Sequence, residues 1–194
     1  MKKIVGCLIL ASMAAVSALA APSKGVDNQR LQQIWHHVED RMTDQSDIWF
    51  DAGDYLSAIN ILRFENKEAP ADYEYATNLG WMLENVENYD QALVVYIRYR
   101  KDNAGIPDAP FPEANFYFSR KAYVKVPPLL QASIPQHPHP NSYRLLAHAY
   151  ERLGLLPDAL KVWKQLVSDH PEDDAAKVNL KKTENRLASQ KTSR

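Results

Sequence analysis

Apolar residues recur along this chain at helical spacings. Leu31, Ile34, Trp35, Val38, Met42, Trp49 and Ala52 form one continuous stripe, which predicts a single long helix over 28–52. Asp27 stands where that helix would be N-capped. At the other end Ala176, Leu180 and Leu187 mark an apolar face, and Lys177, Lys181, Lys182, Glu184 and Arg186 a solvated one. That is the pattern of a terminal helix over 174–188 that caps a stack. Residues 189–194 carry no such pattern and are expected to be a disordered tail.

Between these helices the pattern itself repeats. Ala58, Ala92, Val126 and Ala159 lie 34, 34 and 33 residues apart. Tyr55, Tyr89 and Tyr123 stand three residues before the first three, and Leu156 before the fourth. Leu62, Tyr96, Leu130 and Trp163 follow four residues after. Pro70, Pro138 and Pro171 close three of the units, with Ala104 in place of proline in the second. A small residue at a helix crossing lets two backbones approach closely, and the large residues fill the space beside it. One such unit cannot bury its apolar face alone, so neighbours must stack. The expected architecture is all-α: a short solenoid of about four helix-turn-helix units at 39–72, 73–106, 107–139 and 140–173. The third unit departs from the pattern. Three prolines within 107–112 forbid a helix there, so its first helix is expected only from Glu113 to Ala122. Pro127 and Pro128 then fall in the first turns of its second helix, where lost donors cost least.

The period and its columns resemble the tetratricopeptide repeat. In the fourth unit Tyr143, Leu146, Ala147, Tyr150, Gly154, Ala159, Trp163, Leu166 and Pro171 fill that family's positions. In the second unit Leu79, Gly80, Leu83, Ala92, Tyr96 and Tyr99 do so. The resemblance covers about 39–172 and is weakest in the third unit. It implies a concave face lined by the first helix of each unit. On that face fall Trp81, Glu84, Asn85, Phe118, Arg144, His148, Glu151 and Arg152, the expected partner-binding groove. A strip of aromatic, amide and mixed-sign groups suits an extended peptide or a partner helix. The family's clamp for peptide carboxylates requires Lys, Arg and Asn at set columns. Asp47, Thr77 and Trp81 occupy them here, so that ligand is not implied.

Composition narrows the picture. The chain has 194 residues, 45% of them hydrophobic and 24% charged, so it can bury a core. A net charge of -1 gives no basic face for nucleic acid. Six glycines against 12 prolines argue against a Gly-turn-rich β fold. Lys2 and Lys3, the apolar run from Ile4 to Ala20 and the Ala18-Leu19-Ala20 site read as a bacterial secretory signal peptide over 1–20, cut before Ala21. Residues 21–27 then form a flexible start. The mature protein is expected to be periplasmic or secreted, with no stable insertion in the membrane. Cys7 is the single cysteine and lies too early in the apolar run for a lipidation site. Cleavage would leave no disulfide, thiolate nucleophile or cysteine ligand.

Little in the sequence suggests chemistry. No G-x-S-x-G, H-E-x-x-H or glycine-rich phosphate loop occurs. His137 and His139 in a proline-rich loop are a candidate metal pair, with His148 or His170 in reach. An inter-unit turn accounts for the same prolines, and no carboxylate or cysteine has matching spacing. The expectation is therefore a non-catalytic adaptor without metal or cofactor, binding a peptide or helix of another envelope protein. Its rivals are a structural subunit of an envelope assembly and a metal or small-ligand carrier using the His137/His139 loop.

Overall fold

A computed structural model describes residues 28–192. Positions 1–27, with the expected signal peptide, Cys7 and the Asp27 cap, lie outside the described residues, as do 193 and 194. The chain divides between Arg41 and Met42 into an N-terminal body and a larger body that holds the repeats. Among the described residues there is helix and no strand: α1 (Asn28–Asp51), α2 (Tyr55–Glu68), α3 (Tyr73–Asn85), α4 (Tyr89–Asp102), α5 (Phe111–Ser119), α6 (Val126–Leu130), α7 (Pro140–Arg152), α8 (Leu156–Asp169) and α9 (Asp174–Thr192). Among the described residues no helix is long and apolar enough to cross a membrane. Up to residue 41, α1 exposes its apolar stripe: Leu31 and Ile34 are 50% and 51% accessible.

The 34-residue period is a period of burial. Ala58, Ala92, Val126 and Ala159 are all fully buried. A second small column, twelve residues earlier, faces them: Ser46, Gly80, Ala114 and Ala147. All four are buried. Alanine fits at Ala114 and Ala147 of this second column and is too large at Gly80. A Cβ added at Gly80 would lie 2.2 Å from the Tyr96 ring. Larger residues fill the flanks in two main cores, beside a small third cluster of Ala76, Tyr99 and Ala109. Ile59, Leu62, Leu79, Leu83, Tyr96 and Phe116 form the first, with Trp49 and Phe50 packed against it. Leu130, Tyr143, Leu146, Trp163 and Leu166 dominate the second. Tyr117 packs against both.

Each first helix ends in the same turn. Gly53, Glu87, Lys121 and Gly154 have φ of 76, 59, 60 and 75°. Their spacing is 34, 34 and 33 residues. The next residue donates its N–H back five positions: Asp54 to Trp49, Asn88 to Leu83, Ala122 to Tyr117 and Leu155 to Tyr150, at 2.8–2.9 Å. This left-handed cap satisfies carbonyls that a helix end leaves without partners. It also identifies the third unit as a true repeat, although its helices are short.

Two expectations need correction. The first helix of the third unit is α5, from Phe111 to Ser119, rather than 113–122. Pro112 sits in its first turn, where a missing N–H is harmless, and the Lys121 turn closes it early. Its second helix is only α6, between 3-10 turns at Tyr123–Lys125 and Ile134–Gln136. The C-terminal cap does not stop at 188: α9 runs to Thr192, so 189–192 are helical rather than a disordered tail. The loop between α4 and α5 is pinned. Asp108 accepts from the backbone N–H of His139 and from the Ser142 hydroxyl at 2.9 and 2.7 Å, tying the loop to the start of α7.

Candidate functional site

The eight strip residues separate into exposed groups and structural ties. Trp81 is the most prominent of the exposed ones. It stands on α3 with 52% of its surface accessible. Its ring lies 5.7 Å from that of Phe50, which in turn lies 5.6 Å from Tyr55. Asn85, one turn on, is exposed and donates to the Trp81 carbonyl at 2.9 Å. Arg152 is exposed on α7. These residues are available to a partner.

Glu84 and Glu151 are engaged instead. They occupy the same repeat position, eight residues before their buried alanines. Glu84 accepts from the Tyr96 hydroxyl at 2.7 Å and from Arg120 at 2.9 Å. Glu151 accepts from the Trp163 indole at 3.1 Å and from the Thr183 hydroxyl at 2.7 Å. Each carboxylate therefore joins the second helix of its own unit to an element of the next. Burial pushes the Tyr96 hydroxyl well above its ordinary value, and its bond to Glu84 pushes it further. Burial also raises the Glu151 carboxyl. Hydrogen bonds from Thr183, His148 and Trp163 outweigh that effect and hold it below the usual range.

The other three strip residues lie between these extremes. His148 bonds Glu151 at 3.0 Å and meets the Trp163 ring edge-on at 5.1 Å. Arg144 spans to Asp173 at the start of α9 and to Asn141 within α7. Phe118 is half-buried against Tyr123, with ring centroids 5.1 Å apart. Sequence reasoning missed Arg120, which lies over the Tyr89 and Phe116 rings at 4.2 and 3.8 Å while it bonds Glu84. It also missed Thr183, fully buried on α9. The signal for both is faint. Only a polar residue in an otherwise apolar column marks Thr183, and nothing local marks Arg120.

The histidine loop is occupied by structural work. His137 bonds Asp169 at 3.1 Å. His139 is the N-cap of α7, its Nδ1 accepting from the Asn141 N–H at 3.2 Å. Asp169 also accepts from Tyr143 at 2.6 Å, and that bond above all holds its carboxyl below the usual range. No group of three or more His, Cys, Asp or Glu among the described residues is arranged to hold a metal ion.

Neither a protein-family model nor a curated protein matches the chain. Solved structures do. MamA from Desulfovibrio magneticus RS-1 is 21% identical with a TM-score of 0.58, over 79% of this chain and 87% of that one. A tetratricopeptide repeat protein from Parabacteroides merdae is 18% identical with a TM-score of 0.57, over 76% and 60%. The first TPR domain of the human RPAP3 protein is 21% identical with a TM-score of 0.52, over 61% and 94%. The fold is thus that of the tetratricopeptide-repeat proteins.

Proposed function

We propose that this chain, a solenoid of the tetratricopeptide-repeat fold, is a non-catalytic protein-interaction adaptor that takes a peptide or helix of another protein along its first helices. Trp81 carries the reading. It is 52% exposed on a rigid helix, whereas Trp163, of the same size, is fully buried. Exposed tryptophans beside other aromatic groups are the residues that dominate interface energies. Solenoids of this kind present extended concave surfaces to their partners. Lys2, Lys3 and the apolar run to Ala20 support export, so the partner belongs to the cell envelope, most simply in the periplasm.

The test is a pull-down from the envelope fraction, with mass spectrometry reading both the partner and the N-terminus of the mature bait. Cleavage before Ala21 is the expected start. With the partner in hand, Trp81→Ala should weaken binding by about 2 kcal/mol or more. Trp163→Ala should instead cost about 3–5 kcal/mol of stability. Equal losses of stability in the two variants, with affinity unmoved, would remove Trp81 from the binding surface. A second reading, a structural subunit of an envelope assembly, is favoured by the accessible stripe Leu31, Ile34 and Val38 on α1. Elution of the native protein at the volume of a large, salt-resistant complex would favour it over an adaptor.

A further inference from the structure

The repeat makes the same cleft twice, and only one copy is chemically equipped to bind. The first lies between α2 and α4 over α3, with a volume of about 430 Å³. The second lies between α6 and α8 over α7, with a volume of about 270 Å³. Apart from Asp90, which has no counterpart on the second lining, their walls correspond residue for residue at two repeat lengths. Leu79 and Leu83 floor the first cleft, and Leu146 and Tyr150 the second. Since both backbones come from the same repeat geometry, the difference between the clefts is one of side chains.

That difference is charge. Where the second cleft has Gln131, Pro135 and Gln165, the first has Arg63, Lys67 and Arg98. Where the second has Lys161, the first has Val94, 64% exposed. The rim of the second cleft is satisfied internally: Gln131 accepts from Tyr150 at 3.3 Å, Lys161 pairs with Asp158 at 3.3 Å, and Gln165 donates to Asp169 at 2.8 Å. The rim of the first carries more cationic charge than its acidic neighbours neutralise. Lys67 has no ion-pair partner among the described residues. Arg98 pairs only with Asp102, at 3.5 Å and with both side chains exposed, a weak contact that is easily exchanged. Arg63 is held toward the cleft by Gln91 at 2.5 Å. Asp90 is the acidic residue on this lining, in the first turn of α4, which leaves three cations against one anion. In a chain whose net charge is -1, that is a local excess of the opposite sign.

We infer that the α2–α4 cleft is a second docking surface, separate from the Trp81 strip, and that its occupant is an acidic amphipathic peptide segment of a partner protein. One apolar side chain of that segment would lie on Leu79, Leu83 and Val94. Flanking carboxylates would meet Arg63, Lys67 and Arg98, where charge-assisted bonds are strongest. An apolar floor favours a peptide over a small anion, because it rewards burial that an anion cannot supply.

The probe is a fluorescein-labelled hexapeptide, Glu-Glu-Leu-Glu-Asp-Leu, with a lysine-for-acid version as control. Titrated into 15N-labelled protein, it should shift the amides of Asn66, Gln91 and Val94 and leave those of Asp158 and Lys161 unmoved. Lys67→Glu combined with Arg98→Glu, two surface changes that spare the core, should lower affinity about tenfold. Raised salt should weaken binding of the wild type more than that of the double variant. Binding that shifts the Trp81 region instead, equal binding of the lysine control, no binding at all, or an unchanged affinity in the double variant would each overturn the inference. None of these results would decide the role of Trp81, which is read from its own variant.

Discussion

At the scale of single residues, the tightest constraint lies at Gly80. A glycine inside a helix ordinarily costs about 1 kcal/mol relative to alanine. Here the space is already taken. An added Cβ would meet Cε1 and Cζ of Tyr96 at 2.2 and 2.3 Å. That ring has little room to retreat, because its hydroxyl is tied to Glu84 and its edge rests on Phe116 with centroids 6.0 Å apart. Overpacking a tied ring outweighs the gain in helix propensity. Gly80→Ala should therefore lower the urea-derived stability by about 1–3 kcal/mol. Gly105→Ala is the control, since nothing lies within 4 Å of its added Cβ, and it should change stability by no more than about 0.5 kcal/mol. A neutral Gly80→Ala would mean that the α3–α4 crossing has slack that the packing does not show. The sequence pattern marks the position of Gly80 in its column. It does not show that this column member must lack a Cβ while Ala114 and Ala147 tolerate one. That distinction depends on Tyr96, whose place over Gly80 is a matter of three-dimensional packing.

At the scale of elements, the turns decide how each pair of helices closes. Gly53 and Gly154 adopt the left-handed conformation freely, whereas Glu87 and Lys121 hold it at φ 59 and 60°. Each non-glycine residue there carries a strain of about 1–2 kcal/mol. Glycine relieves the strain but makes the unfolded chain more flexible, which returns part of the gain. Glu87→Gly and Lys121→Gly should each raise stability by about 0.5–1 kcal/mol, read as a higher urea midpoint. A fall in both would show that their side chains stabilise the turns by more than the left-handed conformation costs. The same turns show what was legible beforehand. Gly154 announces its turn, because glycine is the usual answer to positive φ. Glu87 and Lys121 carry no local signal, and their conformation is imposed by the returning N–H of the next residue. The ties of Glu84 and Glu151 were hidden for a related reason. Their partners Arg120 and Thr183 lie 36 and 32 residues away, so the bonds exist only once neighbouring repeats have stacked. Trp81 was legible only through the family resemblance, which places its column on the concave face of the first helices; the structure leaves it 52% exposed.

At the scale of the whole molecule, these ties make stability depend on pH in two opposite ways. Glu151 and Asp169 are held below their ordinary values of 4.5 and 3.8. As pH falls, the unfolded chain takes up protons on these carboxyls before the native state does, so acid favours unfolding. Their contribution is full above those ordinary values and is lost as pH drops through the lower native ones. The buried tyrosines behave in reverse. Tyr96 and Tyr143 are raised above their ordinary value of 10.0, first by burial and then by hydrogen bonds to Glu84 and Asp169. Above that pH the unfolded chain gives up phenolic protons that the native state retains, so alkali also favours unfolding. The urea midpoint should therefore hold a plateau between about pH 5 and 9 and fall on both sides. Single variants assign the limbs. Glu151→Gln should flatten part of the acid limb while lowering the plateau, since Thr183 and Trp163 then lose a charged acceptor. Tyr143→Phe should act on both limbs. It removes one phenol from the alkaline side and, on the acid side, the bond that most depresses Asp169. An acid limb with the same slope in Glu151→Gln, Tyr143→Phe and the wild type would show that these carboxylate ties, within and between repeats, do not couple folding to protonation.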